Sequence, residues 1–125
     1  MNLAFQHILV PFDGSEQSVL AMKSAMYFLD KYNAELTVLY IEDETPVNHV
    51  RVSITEHLKS KDFHFIHKKA GHFSGIVETA RETDTDLIIM GTHGSHGLQE
   101  FLKGPEAYRV VKTLKCPVIT VSKGL

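Results

Sequence analysis

The chain has 125 residues, 43% hydrophobic and 22% charged, with a formal net charge of -2. That length suits one domain with its own core, and a slightly acidic balance excludes the strong nonspecific pull of nucleic acid or an anionic membrane on basic proteins. No apolar run approaches the ~20 residues of a membrane span.

Met1-Asn2-Leu3-Ala4-Phe5 lacks the charged start and apolar stretch of a signal peptide. The single cysteine, Cys116, allows no disulfide within the chain and fits a reducing compartment. The expectation is a cytoplasmic protein with no nucleic-acid or membrane partner. Lys68-Lys69 and Lys112 with Lys115 read as solvated faces.

His7 to Phe12 reads as a short buried strand with Pro11 as its terminator. Asp13-Gly14-Ser15 is turn chemistry, and Ser15 suits the N-cap of the following helix. That helix carries Val19, Met22, Met26 and Leu29 at helical spacing, with Ala25 beside them, and ends near Asn33. Glu35 to Glu42 reads as a second strand. Val47, Val50, Ile54 and Leu58 mark a short helix after Pro46, and Phe63 to Lys68 a third strand. Gly71 to Ser74 reads as loop before a helix marked by Ile76, Val77 and Ala80. Asp86 to Met90 is a fourth strand, apolar enough to be covered on both faces. After a glycine-rich connection over 91–104, Pro105 suits the first position of a helix with the stripe Ala107, Val110, Val111 and Leu114. Pro117 to Val121 is the last strand.

This alternation predicts a parallel sheet with helices on both faces. Such sheets bind ligands beyond the carboxyl ends of their strands, where the strand order reverses. The loops after strands one, two and four are therefore the candidate site. The last of them holds Met90-Gly91-Thr92-His93-Gly94, then Gly104-Pro105 after nine intervening residues. Glycines let backbone approach a phosphate, and a helix N-terminus supplies N–H groups and partial positive charge. The same glycines also suit plain turns. Asp13 suits a ribose hydrogen bond or a turn; Phe12 suits a base or the sheet edge; Ile41, at a strand end, suits the core.

Eight histidines raise a metal site, with His93 and His96 joined by His72 or His67, but no cysteine pair or glutamate supports it. Cys116 has no basic partner in sequence and reads as a buried structural thiol. Neither the Walker lysine motif nor the dinucleotide Gly-x-Gly-x-x-Gly occurs.

Three blocks resemble the universal stress protein (UspA-like) family: Ile8-Leu9-Val10-Pro11-Phe12-Asp13-Gly14-Ser15, Asp86 to Gly94, and Cys116-Pro117-Val118-Ile119-Thr120-Val121. They occur in the family's order over nearly the whole chain; Asp43 to Lys61 matches least. The resemblance implies a three-layer α/β/α sandwich with a five-stranded parallel sheet of order 3-2-1-4-5 (Rossmann-like), often dimeric. It also implies a division into members that bind ATP and members that do not. Binders carry Gly-x-x-Gly, nine residues, then Gly and Ser or Thr. By that pattern Pro11, Phe12 and Asp13 meet the nucleoside and Ile41 lies against adenine. Met90, Gly91, His93 and Gly94 line the ribose and phosphates, with Gly104 and Pro105 at the second glycine.

Residue 105 departs from that pattern: proline offers neither hydroxyl nor N–H, and Glu106 brings a carboxylate to the same helix start. One lost hydrogen bond to a charged phosphate costs about 1.5–3 kcal/mol, or about ten- to hundred-fold in affinity. The leading expectation is a stress-response module that holds ATP or AMP with a weakened phosphate grip, with Mg²⁺ present only with nucleotide. The alternative is a nucleotide-free dimeric scaffold whose anion site is closed by Pro105 and Glu106. An enzyme reading, at most slow ATP hydrolysis, lacks an identifiable general base or metal-ligand pair. Dimerisation is expected through the edge strand Val118, Ile119, Thr120 and Val121.

Overall fold

Three of the strands are apolar at almost every position, and the fold buries both faces of one parallel sheet to accommodate them. In the computed structural model, residues 5–41, 47–59, 61–69, 72–91, 110 and 112–121 are described. In chain order the elements are β1 (His7–Phe12), α1 (Glu16–Tyr32), β2 (Glu35–Ile41), α2 (Val47–Leu58), β3 (His64–Lys68), α3 (His72–Glu82), β4 (Leu87–Gly91) and β5 (Val118–Val121). Val110 and residues 112–114 are also helical. The sheet order is β3-β2-β1-β4-β5, with every neighbouring pair parallel. Fold class and strand order are those expected.

Alternate residues divide the core between two layers. Ile8, Val10 and Phe12 of β1, Leu36, Val38 and Tyr40 of β2, and Leu87 and Ile89 of β4 face α1 and α2. There they meet Met22, Ala25 and Leu29 from α1 and Val50, Ile54 and Leu58 from α2. Leu9, Leu39, Ile41, Ile88 and Met90 face the other way, against Ile76 and Ala80 of α3 and Val110.

Local chemistry sets the ends of α1. Ser15 is its N-cap, and Asn33 takes the left-handed C-cap conformation (φ 54°) with its N–H donating to the Leu29 carbonyl. Asp86 stands just before β4. Its carboxylate accepts from the Gln6 and His7 amides at 2.9 and 3.1 Å, and its own amide donates to the His7 carbonyl. One side chain thus ties the start of β1 to the start of β4.

Two expectations need correction. The supposed loop at residues 72–74 is the first turn of α3. Ser74 and Gly75 are weak helix formers, but extending an anchored helix gains a hydrogen bond for each residue fixed. Lys68 is not a solvated lysine: its side chain is only 16% exposed, and its ammonium bonds Glu78 and Glu82 of α3. This strap fastens the edge strand β3 to the helix above it.

Burial pulls the Lys68 pKa down, but hydrogen bonds to Glu82 and Glu78 outweigh it and leave it above the ordinary 10.5. The bond from Lys68 holds Glu78 below its ordinary 4.5. A depressed carboxylate stabilises the fold above its unfolded pKa, and that contribution disappears as pH falls through the folded value. A raised ammonium stabilises below its unfolded pKa and loses the effect as pH rises through the folded value. The strap is therefore intact between 4.5 and 10.5. In urea unfolding, the advantage of wild type over Lys68→Met should be level from about pH 6 to 9 and shrink below about pH 4.

Candidate functional site

From β1 the chain winds to β2 and β3 on one side of the sheet, then returns to β4 and β5 on the other. The order reverses between β1 and β4, and a parallel sheet opens a crevice at the carboxyl end of that junction. The ladders on the two sides of β1 differ in length. β1 pairs with β2 from His7–Glu35 through Phe12–Tyr40, but with β4 only at Ile8–Leu87 and Leu9–Ile88.

Pro11 supplies a physical reason. It has no N–H to give a neighbouring strand, and proline in a sheet costs a ladder bond. β1 spans His7–Phe12 as expected, with Pro11 inside the strand and not its end; the strand stays buried and paired to β2 through Phe12, while its ladder to β4 stops at Leu9.

Beyond Phe12 the chain turns at once. Asp13 Oδ1 accepts the Ser15 amide at 2.9 Å, closing an Asx turn around Gly14, whose φ of +84° favours glycine. Ser15 Oγ accepts the Ser18 amide at 3.2 Å, and the buried Ser18 hydroxyl donates to the Ser15 carbonyl at 2.9 Å. The turn and the helix cap share Ser15, so Asp13 is held by the first turn of α1.

The other expected site residues divide. Ile41 ends β2 at 7% exposure, in the same core layer as Met90, which is fully buried in β4. Phe12 is 3% exposed and faces the α1 layer. Gly91 is not loop: it is the last residue of β4, buried and paired with Val121. Extending the β1–β4 register sets Phe12 level with Gly91. Asp13, Ile41, Met90 and Gly91 therefore gather at the carboxyl edge of the three adjacent strands. His93, Gly94, Gly104, Pro105 and Glu106 lie outside the described residues, as does His96.

Among the described residues no group of three or more His, Cys, Asp or Glu side chains is arranged to hold a metal. His67 stacks on Tyr40 at 5.5 Å, and its Nε2 is buried without a hydrogen-bond partner among the described residues. Cys116 is half-buried against the α3 layer; burial, then the charge of Asp86, pushes its thiol pKa upward and away from thiolate chemistry. Cavities of about 550 and 580 Å³ lie at the opposite, amino end of β2 and β3 and share Glu35, Phe63 and His64. None of the expected site residues among the described residues lines them.

The universal stress protein family model matches residues 4–71 and 62–122. The chain is 32% identical to universal stress protein MJ0531 of Methanocaldococcus jannaschii over 141 residues, which cover 95% of this chain and 83% of that protein. Its fold superposes on a universal stress protein solved in complex with cAMP, with TM-score 0.78 and 23% identity over 97% of this chain and 99% of the other. A universal stress protein from Archaeoglobus fulgidus, in complex with dAMP, gives TM-score 0.62 and 18% identity over 95% and 99% of the two chains. Among the described residues no helix is long and apolar enough to cross a membrane.

Asparagine carries the same Oδ1 acceptor as aspartate, so Asp13→Asn keeps the Asx turn and should leave stability within about 0.5 kcal/mol of wild type. Asp13→Ala leaves the Ser15 amide without that acceptor and should cost about 1 kcal/mol in denaturant unfolding.

Proposed function

The chain belongs to the universal stress protein family, and from that premise we propose that it binds an adenine nucleotide at the carboxyl edge between β1 and β4. The observation that carries the reading is the early end of the β1–β4 ladder, with Asp13 fixed on one rim and Gly91 on the other. Asp13 takes the ribose hydroxyls. Ile41 forms the apolar wall for adenine, with Pro11 and Phe12 backing the nucleoside and Met90 at the end of β4 beside the ribose and phosphates. The backbone from Gly91 through His93 to Gly94 holds the phosphates, and Gly104 and Pro105 belong to the same phosphate grip. Mg²⁺ accompanies the nucleotide and has no separate site.

Two relatives of the same fold are complexes with adenine nucleotides, cAMP and dAMP, which supports adenine as the base class. Pro105 leaves the phosphate grip one hydrogen bond short, and Glu106 adds a competing anion next to it in the chain. The module therefore favours a ligand with few phosphates, and it acts through conformational or assembly change.

Titration of AMP and ATP, with Mg²⁺, into nucleotide-stripped protein tests the reading. Wild type should bind on the order of micromolar, and Asp13→Ala should lose the heat of binding. Pro105→Ser should tighten ATP by about ten- to hundred-fold. A silent wild type beside a binding Pro105→Ser would instead favour the nucleotide-free scaffold, with Pro105 and Glu106 closing the site.

Assembly follows from the opposite margin of the sheet. β5 is the outer strand, and Val118, Ile119, Thr120 and Val121 form an edge suited to a second copy across a two-fold axis. Light scattering at micromolar concentration should give a dimer mass, and Ile119→Lys should shift it toward monomer; a monomeric wild type would remove this part of the proposal.

A further inference from the structure

We propose that Gly91 is a positioning residue. Its missing side chain lets the first turn of α1 seat against the end of β4, and that seat sets where the Asp13–Ser15 turn stands. The inference deepens the nucleotide reading and rests on it for its functional consequence. It assigns the first glycine of the motif a task different from phosphate contact.

A Cβ built on Gly91 would lie 2.7 Å from the backbone carbonyl carbon of Gln17, 2.8 Å from its Cβ and 2.9 Å from its carbonyl oxygen. Non-bonded carbons prefer about 3.5–4.0 Å. Two of those three atoms are main chain, so no rotamer change in Gln17 relieves the overlap. Either β4 moves or α1 moves.

β4 is buried on both faces and paired to β5 through Gly91 itself. The first turn of α1 is the softer partner, but Ser15 ties it directly to Asp13. A displacement at Gln17 therefore reaches Asp13 across the rim. Gly14 provides the contrast: a Cβ there meets nothing within 4 Å, so its requirement is conformational alone. The added methyl at residue 91 meets Gln17 of α1, and alanine keeps the backbone N–H. Loss of ligand in Gly91→Ala would thus report the seat of α1, not a lost donor.

The experiment compares ¹H–¹⁵N amide spectra and AMP titrations of wild type, Gly91→Ala, the double variant Gly91→Ala/Gln17→Gly, and Leu58→Ala. Leu58 is fully buried in α2 and supplies a destabilised core away from the crevice. The expected result for Gly91→Ala is displaced Ser15 and Ser18 amides in the ligand-free protein and AMP binding weakened about ten- to hundred-fold. Leu58→Ala should bind as wild type does while folded. The double variant loses the Cβ contact at 2.8 Å and keeps the two backbone contacts, so it should recover part of both signals. It also serves as the folded test if Gly91→Ala alone does not fold.

Unmoved Ser15 and Ser18 amides would overturn the proposal. Moved amides with wild-type AMP affinity would overturn it too, leaving Gly91 as a packing glycine only. If wild type takes no AMP, the nucleotide reading falls by itself; the amide displacement and its partial recovery then decide the seat of α1.

Discussion

Everything in this fold depends on covering both faces of one parallel sheet. Its central strand β1 alternates Ile8, Val10 and Phe12 toward α1 and α2 with Leu9 toward α3, and β2 and β4 repeat the division. A strand apolar on both sides has no solvent-facing alternative, so its neighbours and the helices above and below it are determined together. Fully burying one such side chain is worth about 1.5–3 kcal/mol, which is ample to override weak helix formers such as Ser74 and Gly75 at the start of α3.

The same constraint creates the crevice. A sheet that winds one way from β1 and then the other must leave a junction where no crossover covers the carboxyl edge. Pro11 sharpens the junction by withholding an N–H where the β1–β4 ladder ends. Three local devices then build its rim: the Asx turn at Asp13, the Ser15 cap of α1, and the side-chain-free contact of Gly91 with Gln17. Each is short-range, yet together they join two strand ends that lie far apart in the chain. The proposed nucleotide site is thereby linked to α1, and through the packing of α1 against α2 and the sheet to much of the core.

Much of this was legible in the sequence because much of it is local. Unbroken apolar runs bounded by turn residues gave β1, β2 and β4, and Ser15 and Asn33 marked the ends of α1 to the residue. The turn at Asp13 was readable for the same reason. What escaped was tertiary. Nothing in the neighbourhood of Gly91 signals that Gln17 will press against it, and glycine in a Gly-x-x-Gly pattern reads as loop. Lys68 beside Lys69 resembles a solvated pair until α3 brings Glu78 and Glu82 over it. Asp86 looked like the first residue of a strand, and only the adjacency of β1 and β4 reveals its two amide partners. For the candidate site, Asp13, Ile41, Met90 and Gly91 come together as the strand order requires. Residues 93, 94, 104 and 105 remain a reading of spacing and chemistry.

The most direct test of the account is to map AMP onto the protein by amide chemical-shift change during titration. The account predicts saturable shifts concentrated at Asp13, Gly14, Ser15, Ile41, Met90 and Gly91. Shifts concentrated instead at Asn33 to Leu36 and Phe63 to His64, where the two cavities open at the amino end of the sheet, would contradict it. So would a spectrum that AMP leaves unchanged.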